Sequence, residues 1–406
     1  MMPQLRFVEV FPMKVEGEDA YCLRDPDGYM ADPVYLTPHA CFIALMLDGS
    51  NGPEQIRKAF SEQFKGEKVT DKDIEDVIAA LDEQLLIDSP RFKTHRGRID
   101  GAFYASRVRD EFFAGRGYPK DPVKLAQYLD GFYKHKNGPG SPGALRGKKA
   151  ISCLISPHID LGRGGWCYAH AYKELAQRPA PQRIIMLGVA HAGSPSPFVI
   201  SRKGYKTPLG TLESDESSLC MLEETLGAGI FEGEIVHRTE HSLEFQTVWL
   251  AHVFSSVRLP KIIPVLCASF GSMDSSISPA SMPGVEPTIK ALAQLALRED
   301  TLILAGVDLS HVGPRFGDKE PLGAVMAQST QHQDRVILDA IRNGDAEGFW
   351  RCIMADGNSR RVCGVSAIYT ALRLIGKRAG SILTYGQALD PAGGIVSFTA
   401  AVFNGR

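Results

Sequence analysis

The sequence predicts an α/β protein with a central sheet flanked by helices, preceded by a small α+β domain of winged-helix type. From about residue 149 to the end, apolar runs alternate with helical patterns, which is typical of a buried sheet covered by helices. Short strands and amphipathic helices fill the first 95 residues, and a basic, polar stretch follows. We therefore predict a first domain at 1–95, a linker at 96–110 and a second domain at 111–406.

The composition excludes several classes of function. Lysine and arginine number 45 against 47 aspartates and glutamates, for a formal net charge of -2, so no surface for nucleic acid is predicted. The eight cysteines are widely scattered, unlike those of a small secreted disulfide scaffold. The chain has no signal-peptide pattern and no apolar run of about 18 residues, so we expect a cytoplasmic protein with no membrane partner.

The first domain contains three predicted helices with recognisable starts. Pro38 follows Thr37 and Pro53 follows a turn, and both prolines suit the first position of a helix. Thr70 and Asp73 have the spacing of a capping box before a third helix. The apolar faces of these helices are large enough to close a small core.

Two segments of this domain, LDGSNGPEQIRKAF and DIEDVIAALDEQLLI, resemble PqqD-like winged-helix modules. Such modules bind precursor peptides in peptide-modification pathways, so the resemblance implies a peptide or protein target. The alternative is a helical accessory domain that holds no peptide.

Chemistry-bearing residues gather where three predicted strands of the second domain end. ISPHID supplies His158 and Asp160, GVAHAG supplies His191, and GVDLSH supplies Asp308 and His311. In open α/β sheets, ligands bind at the carboxyl ends of the strands. Three such endings at equivalent positions therefore predict one shared site.

Cys363 is a fourth candidate, because it opens a predicted helix and follows Arg360 and Arg361. Backbone N–H groups and nearby cations favour the thiolate, the form that binds metal. A small buried hydrophobic residue is the alternative reading, and it suits the cysteines inside apolar runs.

The stretch HRTEH, residues 237–241, fits the inverted zinc-peptidase pattern, which needs both histidines on one face of a helix. Here GEIVHRTE predicts a strand and a turn, and the helix is predicted to start near Ser242. The pair should straddle that boundary, which disfavours a peptidase. The sequence also has no G-x-S-x-G elbow and no G-x-x-x-x-G-K-[ST] phosphate loop.

The motifs SPHIDLGRGGWCYAHAYKEL, GVAHAG, TPLG with Asp215, EHSLEFQ, VDLSH and CGVSAIYTAL occur in the order seen in Memo proteins. The resemblance covers roughly residues 105–406. Memo proteins are similar in fold to class III extradiol dioxygenases, which are non-haem iron enzymes with two histidines and a carboxylate at the metal. The resemblance implies that His158 and His191 are metal ligands, with Cys363 in place of the dioxygenase glutamate.

The resemblance also implies roles for three neighbours of the metal. His311 matches the acid–base histidine of the dioxygenases, Asp308 lies three residues earlier in the same loop, and His241 completes the cluster by its family position. We expect these three residues to be catalytic or to line the pocket.

The function implied is that of a non-haem, metal-dependent oxidoreductase with one transition-metal ion, Fe(II) or copper, with zinc as a further possibility. Bacterial Memo proteins are grouped with a radical-SAM protein and an AMMECR-type protein, as protein B of the AmmeMemoRadiSam system, so these are the partners implied. The alternative function is a non-catalytic scaffold whose pocket binds a peptide or protein.

Overall fold

The computed structural model divides the chain into two units, residues 1–105 and 106–406. It describes residues 2–30, 32–145, 150–271, 274–319, 323–390 and 393–405. Across these residues, every helix is too short or too polar to cross a membrane. All eight cysteines lie within the described ranges, and each is a free thiol.

The first unit is an antiparallel sheet packed against helices. Its described strands and helices are β1 (Glu9–Val15), β2 (Glu18–Arg24), β3 (Val34–Leu36), α1 (Pro38–Met46), α2 (Pro53–Gln63), α3 (Asp71–Glu83) and α4 (Pro90–Ala105). The sheet order is β1-β2-β3. The small α+β unit predicted from the sequence is thus confirmed, whereas its PqqD-like character stays a prediction.

The three predicted helix starts are confirmed. The Thr37 side chain accepts the Ala40 N–H, and Pro38 is the first residue of α1. Pro53 opens α2. The hydroxyl of Thr70 accepts the Asp73 N–H, and the Asp73 carboxylate accepts the Thr70 N–H, which completes the capping box of α3. Each cap satisfies N–H groups that have no partner inside the helix.

The segment predicted as a linker, residues 96–110, is helical as far as Ala105. The buried side chains of this helix are those of Phe92 and Phe103. The Tyr29 hydroxyl also donates to Asp100 at 3.0 Å. Two buried residues are too few to show the apolar periodicity of a helix. The charged and polar residues between them therefore led to the prediction of a linker.

The second unit carries the remaining described elements. Its strands are β4 (Val108–Arg109), β5 (Ile151–Ser156), β6 (Arg183–Val189), β7 (Phe198–Ile200), β8 (Gly204–Thr207), β9 (Gly210–Leu212), β10 (Lys261–Cys267), β11 (Thr301–Gly306), β12 (Asp308–Val312), β13 (Ser381–Asp390) and β14 (Gly394–Asn404). Its helices are α5 (Pro122–Tyr133), α6 (Leu161–Ala176), α7 (Glu216–Leu226), α8 (His241–Val253), α9 (Val285–Ala296), α10 (Ala324–Arg342), α11 (Ala346–Met354) and α12 (Val365–Ile375). Short 3-10 turns lie at Ala228–Phe231, Glu234–Arg238, Pro279–Ser281 and Pro314–Phe316.

A central sheet organises this unit, and its described strands follow the order β12-β14-β5-β11-β6-β10-β7, with β13 paired to β14. Strands β5, β11, β6 and β10 are parallel to one another. Apolar side chains of α7 and α9 to α12 pack on one face, and those of α5, α6 and α8 pack on the other. The predicted α/β fold is therefore confirmed, and the carboxyl ends of four parallel strands meet at one edge.

Candidate metal centre

Three histidines converge at that edge. His158 lies two residues beyond β5, His191 lies two residues beyond β6, and His241 is the first residue of α8. Each offers a ring nitrogen, and the three nitrogens lie within 4.8 Å of one another. This spacing suits ligands of a single metal ion.

Two glycines allow α8 to approach the sheet closely enough to bring His241 into this group. A Cβ atom on Gly188 would lie 2.5 Å from the Ser242 hydroxyl, and a Cβ atom on Gly306 would lie 2.5 Å from the Ser242 carbonyl oxygen. Gly188 is the next-to-last residue of β6 and Gly306 is the last residue of β11, and both strands lead into the site. Any larger residue would push the first turn of α8 away.

Two hydrogen bonds hold His158 in place, one made by its ring and one by its backbone N–H. Its Nδ1 donates to the carbonyl of Gly306 at 3.0 Å, and its backbone N–H donates to the Asp308 carboxylate at 3.0 Å. Because a carbonyl only accepts, Nδ1 carries the proton and Nε2 presents a lone pair. Burial lowers the pKa of His158 well below its usual value, so the ring is neutral and able to bind metal.

His191 is held by Glu240. Its Nδ1 lies 3.0 Å from each Glu240 carboxylate oxygen, and its backbone N–H donates to the same carboxylate. Burial alone would raise the pKa of Glu240, but His191 and His241 outweigh that effect and hold the pKa well below its ordinary value. A carboxylate that orients a histidine in this way is a common partner of metal-bound histidines.

Glu240 also serves the third histidine. The Nδ1 of His241 lies 3.2 Å from the Glu240 carboxylate, and that carboxylate accepts the Ser242 N–H at the start of α8. Burial lowers the pKa of His241 to about 4, so this ring is neutral too. Phe113 meets the His241 ring edge-on at 5.9 Å. One carboxylate thus caps the helix and orients two of the three candidate ligands.

Cys363 also reaches this site. Its Sγ lies 3.3 Å from His158 Nε2 and 3.7 Å from the Asp308 carbonyl oxygen. The next residue, Gly364, makes this approach possible, because a Cβ atom there would lie 2.7 Å from the Val307 Cβ. The structure therefore groups His158, His191 and His241, with Cys363 in contact with His158 and His191.

The surroundings of Cys363 differ from those expected, because burial opposes the thiolate form. Burial raises the pKa of the Cys363 thiol, and a hydrogen bond with His191 lowers it by less. The two arginines that precede Cys363 do not supply the expected field, since Arg360 pairs with Asp334 at 2.6 Å and Arg361 pairs with Asp318 at 2.6 Å. Their charges are neutralised by these partners.

Asp308 and His311 lie near the site in surroundings that differ from each other. Asp308 is buried, and burial raises its pKa to about 7, although the N–H group of His158 opposes that shift. His311 lies on β12, where its Nδ1 donates to the Leu309 carbonyl and burial lowers its pKa to about 4. Among the residues that the structure describes, the grouped ligand nitrogens belong to the three histidines, and His311 lies outside that group.

The other histidine of HRTEH does not join the site. The predicted strand before it is wrong, because residues Glu234–Arg238 form a 3-10 turn. His237 is buried, with Nε2 bonded to the Val199 carbonyl at 2.9 Å and Nδ1 bonded to the Tyr205 hydroxyl at 2.8 Å. Both ring nitrogens are thus occupied. The helix α8 begins at His241, one residue from the predicted start.

His237 should make stability depend on pH. Burial lowers its pKa to about 4 in the folded chain, whereas an unfolded histidine titrates near 6.5. Its stabilising contribution is therefore complete above about pH 6.5 and is lost as the pH falls towards 4, by roughly 3 kcal/mol. The charged or titratable groups around it are Arg109, Lys203, Tyr205 and Glu240. We expect wild type to lose more unfolding free energy over this range than His237→Gln, as measured by urea denaturation.

The control for that measurement is His170→Gln, because His170 lies on α6 and bonds only to the carbonyl of Asn137 among its described contacts. This variant should follow the wild-type curve. Equal losses in wild type and His237→Gln would contradict the assignment of the effect to His237.

Sequence reasoning missed the glycines that make the site possible. Gly188, Gly306 and Gly364 each stand within three residues of a candidate ligand or of Asp308. The signal was present, since GVAH, GVD and CGV all pair a glycine with a chemistry-bearing residue. A glycine that recurs beside such residues indicates close backbone approach.

Comparison with known proteins agrees with this architecture. A MEMO1 family protein of Aquifex aeolicus is 26% identical over 407 residues, which cover 99% of this chain and 100% of the relative. One from Thermus thermophilus is 28% identical over 82% of this chain and 94% of its own length. One from Methanopyrus kandleri is 26% identical over 73% of this chain and 98% of its own length. Residues 109–401 match the family described as Memo-like protein, a span that includes every candidate ligand, and the chain therefore belongs to that family.

Proposed function

We propose that this chain is a metal-dependent redox protein that holds one transition-metal ion through His158, His191 and Cys363. The observation that carries the proposal is the orientation of the two rings. The Nδ1 atoms of His158 and His191 are engaged by Gly306 and Glu240, so Nε2 is the atom of each ring that can bind an ion, and the Cys363 sulfur lies 3.3 Å from that of His158. Side chains whose orientation is fixed by such hydrogen bonds are a feature of functional metal sites.

The donor set fits a transition metal. Imidazole nitrogen suits iron, copper and zinc, and a sulfur ligand adds preference for the softer ions. Fe(II) and copper are the ions we propose, with zinc as the alternative. When bound, the ion would supply electron exchange and open positions for substrate or O₂.

The residues around the ligands have supporting roles in this proposal. Asp308 orients His158 through the backbone N–H and lies 3.7 Å from its Nε2. His241 faces the same space and provides a further nitrogen, either for the ion or for a proton of the substrate. His311, on the neighbouring strand β12, is proposed as the acid–base residue.

A peptide or protein is the proposed target. The resemblance of the first unit to peptide-binding modules supports this, and the Aquifex aeolicus relative, which matches over 99% of this chain, extends across both units. A radical-SAM protein and an AMMECR-type protein are the proposed partners. A scaffold that binds the same target without turnover is the competing function.

The test is metal analysis of protein purified without oxygen and without added metal. We expect about one ion per chain in wild type and a strong loss in Cys363→Ala. After Co(II) loading, wild type and His241→Ala should show a thiolate-to-cobalt charge-transfer band in the near ultraviolet, which Cys363→Ala should lack. O₂ consumption after Fe(II) or Cu(I) loading then tests for redox turnover.

Two outcomes would overturn the proposal. A cobalt spectrum without the thiolate band, together with metal loss in His241→Ala, would assign the site to three histidines. Wild type that is empty and also refuses added metal would favour the scaffold, which should then keep its affinity for a target in His158→Ala.

A further inference from the structure

A cavity of about 320 Å³ lies next to the candidate ligands, and the site chemistry described above leaves it unused. We name it the Cys363 cavity. It opens beyond the carboxyl ends of β6 and β10, and α11, α12 and the loop between them close it. Cys363 forms part of its wall, and so does Ala190, the residue before His191. A molecule in this cavity would therefore touch Cys363, one of the proposed ligands.

The walls of the Cys363 cavity are apolar. Phe270, Trp350, Met354 and Val362 line it, and each is more than nine-tenths buried. Ala268 also lines it, at the end of β10. An apolar surface that faces an open space and lies beside reactive groups is the common form of a small-molecule site.

Three polar groups on the walls already have partners. The indole N–H of Trp350 donates to the Ile277 carbonyl at 2.9 Å. The Asn358 side chain accepts the Val362 N–H and donates to the Val362 carbonyl. Arg361 is paired with Asp318. Because most lining residues are apolar and Arg361 is already paired with Asp318, these walls favour a neutral occupant.

The loop that closes the cavity is held in a defined conformation. Asn358 and Arg361 have φ angles of 55° and 52°, in the left-handed region, which Asn tolerates better than Arg does. The side-chain bonds of these two residues, to Val362 and Asp318, retain that conformation. Backbone kept in such a region tends to occur where a fixed shape has a use.

The size and the wall chemistry together indicate the occupant. An apolar cavity of about 150 Å³ in another protein binds benzene, so this one has room for a fused pair of rings or for one ring with its attachment. Phe270 and Trp350 lie 6.4 Å apart between ring centres, and Met354 adds a polarisable sulfur. Aromatic edges and thioether sulfur both favour an aromatic partner.

We infer that the Cys363 cavity binds a neutral aromatic ring and holds it against the wall that carries Cys363. That this ring anchors the substrate rests on the proposed function, whereas the binding of a ring in the cavity does not. The ring can belong to a free small molecule or to an aromatic side chain of a peptide. Both sources share the same chemistry.

The probes are indole, N-acetyltryptophan amide and benzoate, titrated by calorimetry into the intact protein with and without bound zinc. We expect indole to bind both forms, and benzoate to bind at least about tenfold more weakly because its carboxylate would leave water for a largely apolar wall. Amide binding at least as tight as indole binding assigns the ring to a peptide. Indole binding with the amide excluded assigns it to a small molecule.

One variant locates the binding. Ser269→Trp places an indole at the exposed rim of the cavity without crowding the core. It should weaken indole binding about tenfold or more. The matched control is Ser255→Trp, at an exposed serine beyond the end of α8. The unfolding midpoint of each variant shows whether it is folded.

The inference is overturned if wild type that takes up metal fails to bind indole, if benzoate binds as tightly as indole, or if folded Ser269→Trp binds indole as wild type does. Indole binding by protein that takes up no metal would leave the cavity assignment standing. In that case the redox proposal alone would fail.

Discussion

Replacement of His158 by alanine should remove the bound metal more completely than any change to the residues that orient the ligands. His158 is nearly fully buried and lies next to Cys363, so its loss removes an imidazole ligand and leaves Cys363 without its nearest partner. Loss of an outer partner of a metal-bound histidine costs roughly 10- to 100-fold in affinity. We expect Glu240→Gln to fall in that range and His158→Ala to exceed it, as measured by competition with a chelator of known affinity.

His170→Ala is the matched control, since it removes a histidine of the same unit that bonds to a loop carbonyl. Its metal affinity should equal that of wild type. If His158→Ala retained wild-type affinity, or weakened it less than Glu240→Gln does, His158 would not be a ligand. Circular dichroism of the metal-free proteins separates ligand loss from unfolding.

The second large effect concerns stability. Arg109→Met should lower the unfolding free energy of the second unit by roughly 3–5 kcal/mol, because it leaves the Glu244 carboxylate buried without its cation. Arg109 and Glu244 are 1% and 0% exposed, and their charged atoms lie 2.6 Å apart. Arg109 also donates to the carbonyls of His237 and Glu240. All three tryptophans lie beyond residue 105, so urea denaturation followed by tryptophan fluorescence reports on this unit.

Arg202→Met provides the comparison, because Arg202 also forms two ion pairs, with Glu216 and Glu223, but its side chain is 33% exposed. Ion pairs at such positions contribute at most about 1 kcal/mol. Similar losses in the two variants would show that burial does not set the importance of Arg109.

The sequence was informative wherever a local rule decides the structure. Thr70 and Asp73 define a capping box by their spacing alone, and Pro38 and Pro53 suit a first helical turn whatever surrounds them. The endings that carry His158 and His191 lie side by side because parallel strands of one sheet finish at the same edge. Each of these predictions needed only neighbours in the chain or one rule of sheet topology.

The sequence was misleading wherever partners that are far apart in the chain determine the structure. Arg361 is close to Cys363 in sequence, but its charge is satisfied by Asp318, 43 residues away. The residues before His241 have a strand-like pattern, yet Glu234 binds the Ser201 hydroxyl and His237 binds Tyr205. Such pairings depend on how the whole unit folds, and a single sequence taken by itself does not reveal them.

The anchoring of the histidines has a consequence for how the protein would acquire its ion. The groups that orient His158 and His191 are a backbone carbonyl and a carboxylate of the same chain, so both rings are in place before any ion arrives. In a zinc finger, by contrast, uptake of the ion and formation of the fold are one event. Here loading would be a late step on a finished protein, and the ions on offer in the surroundings, more than the folding reaction, would decide which one is held.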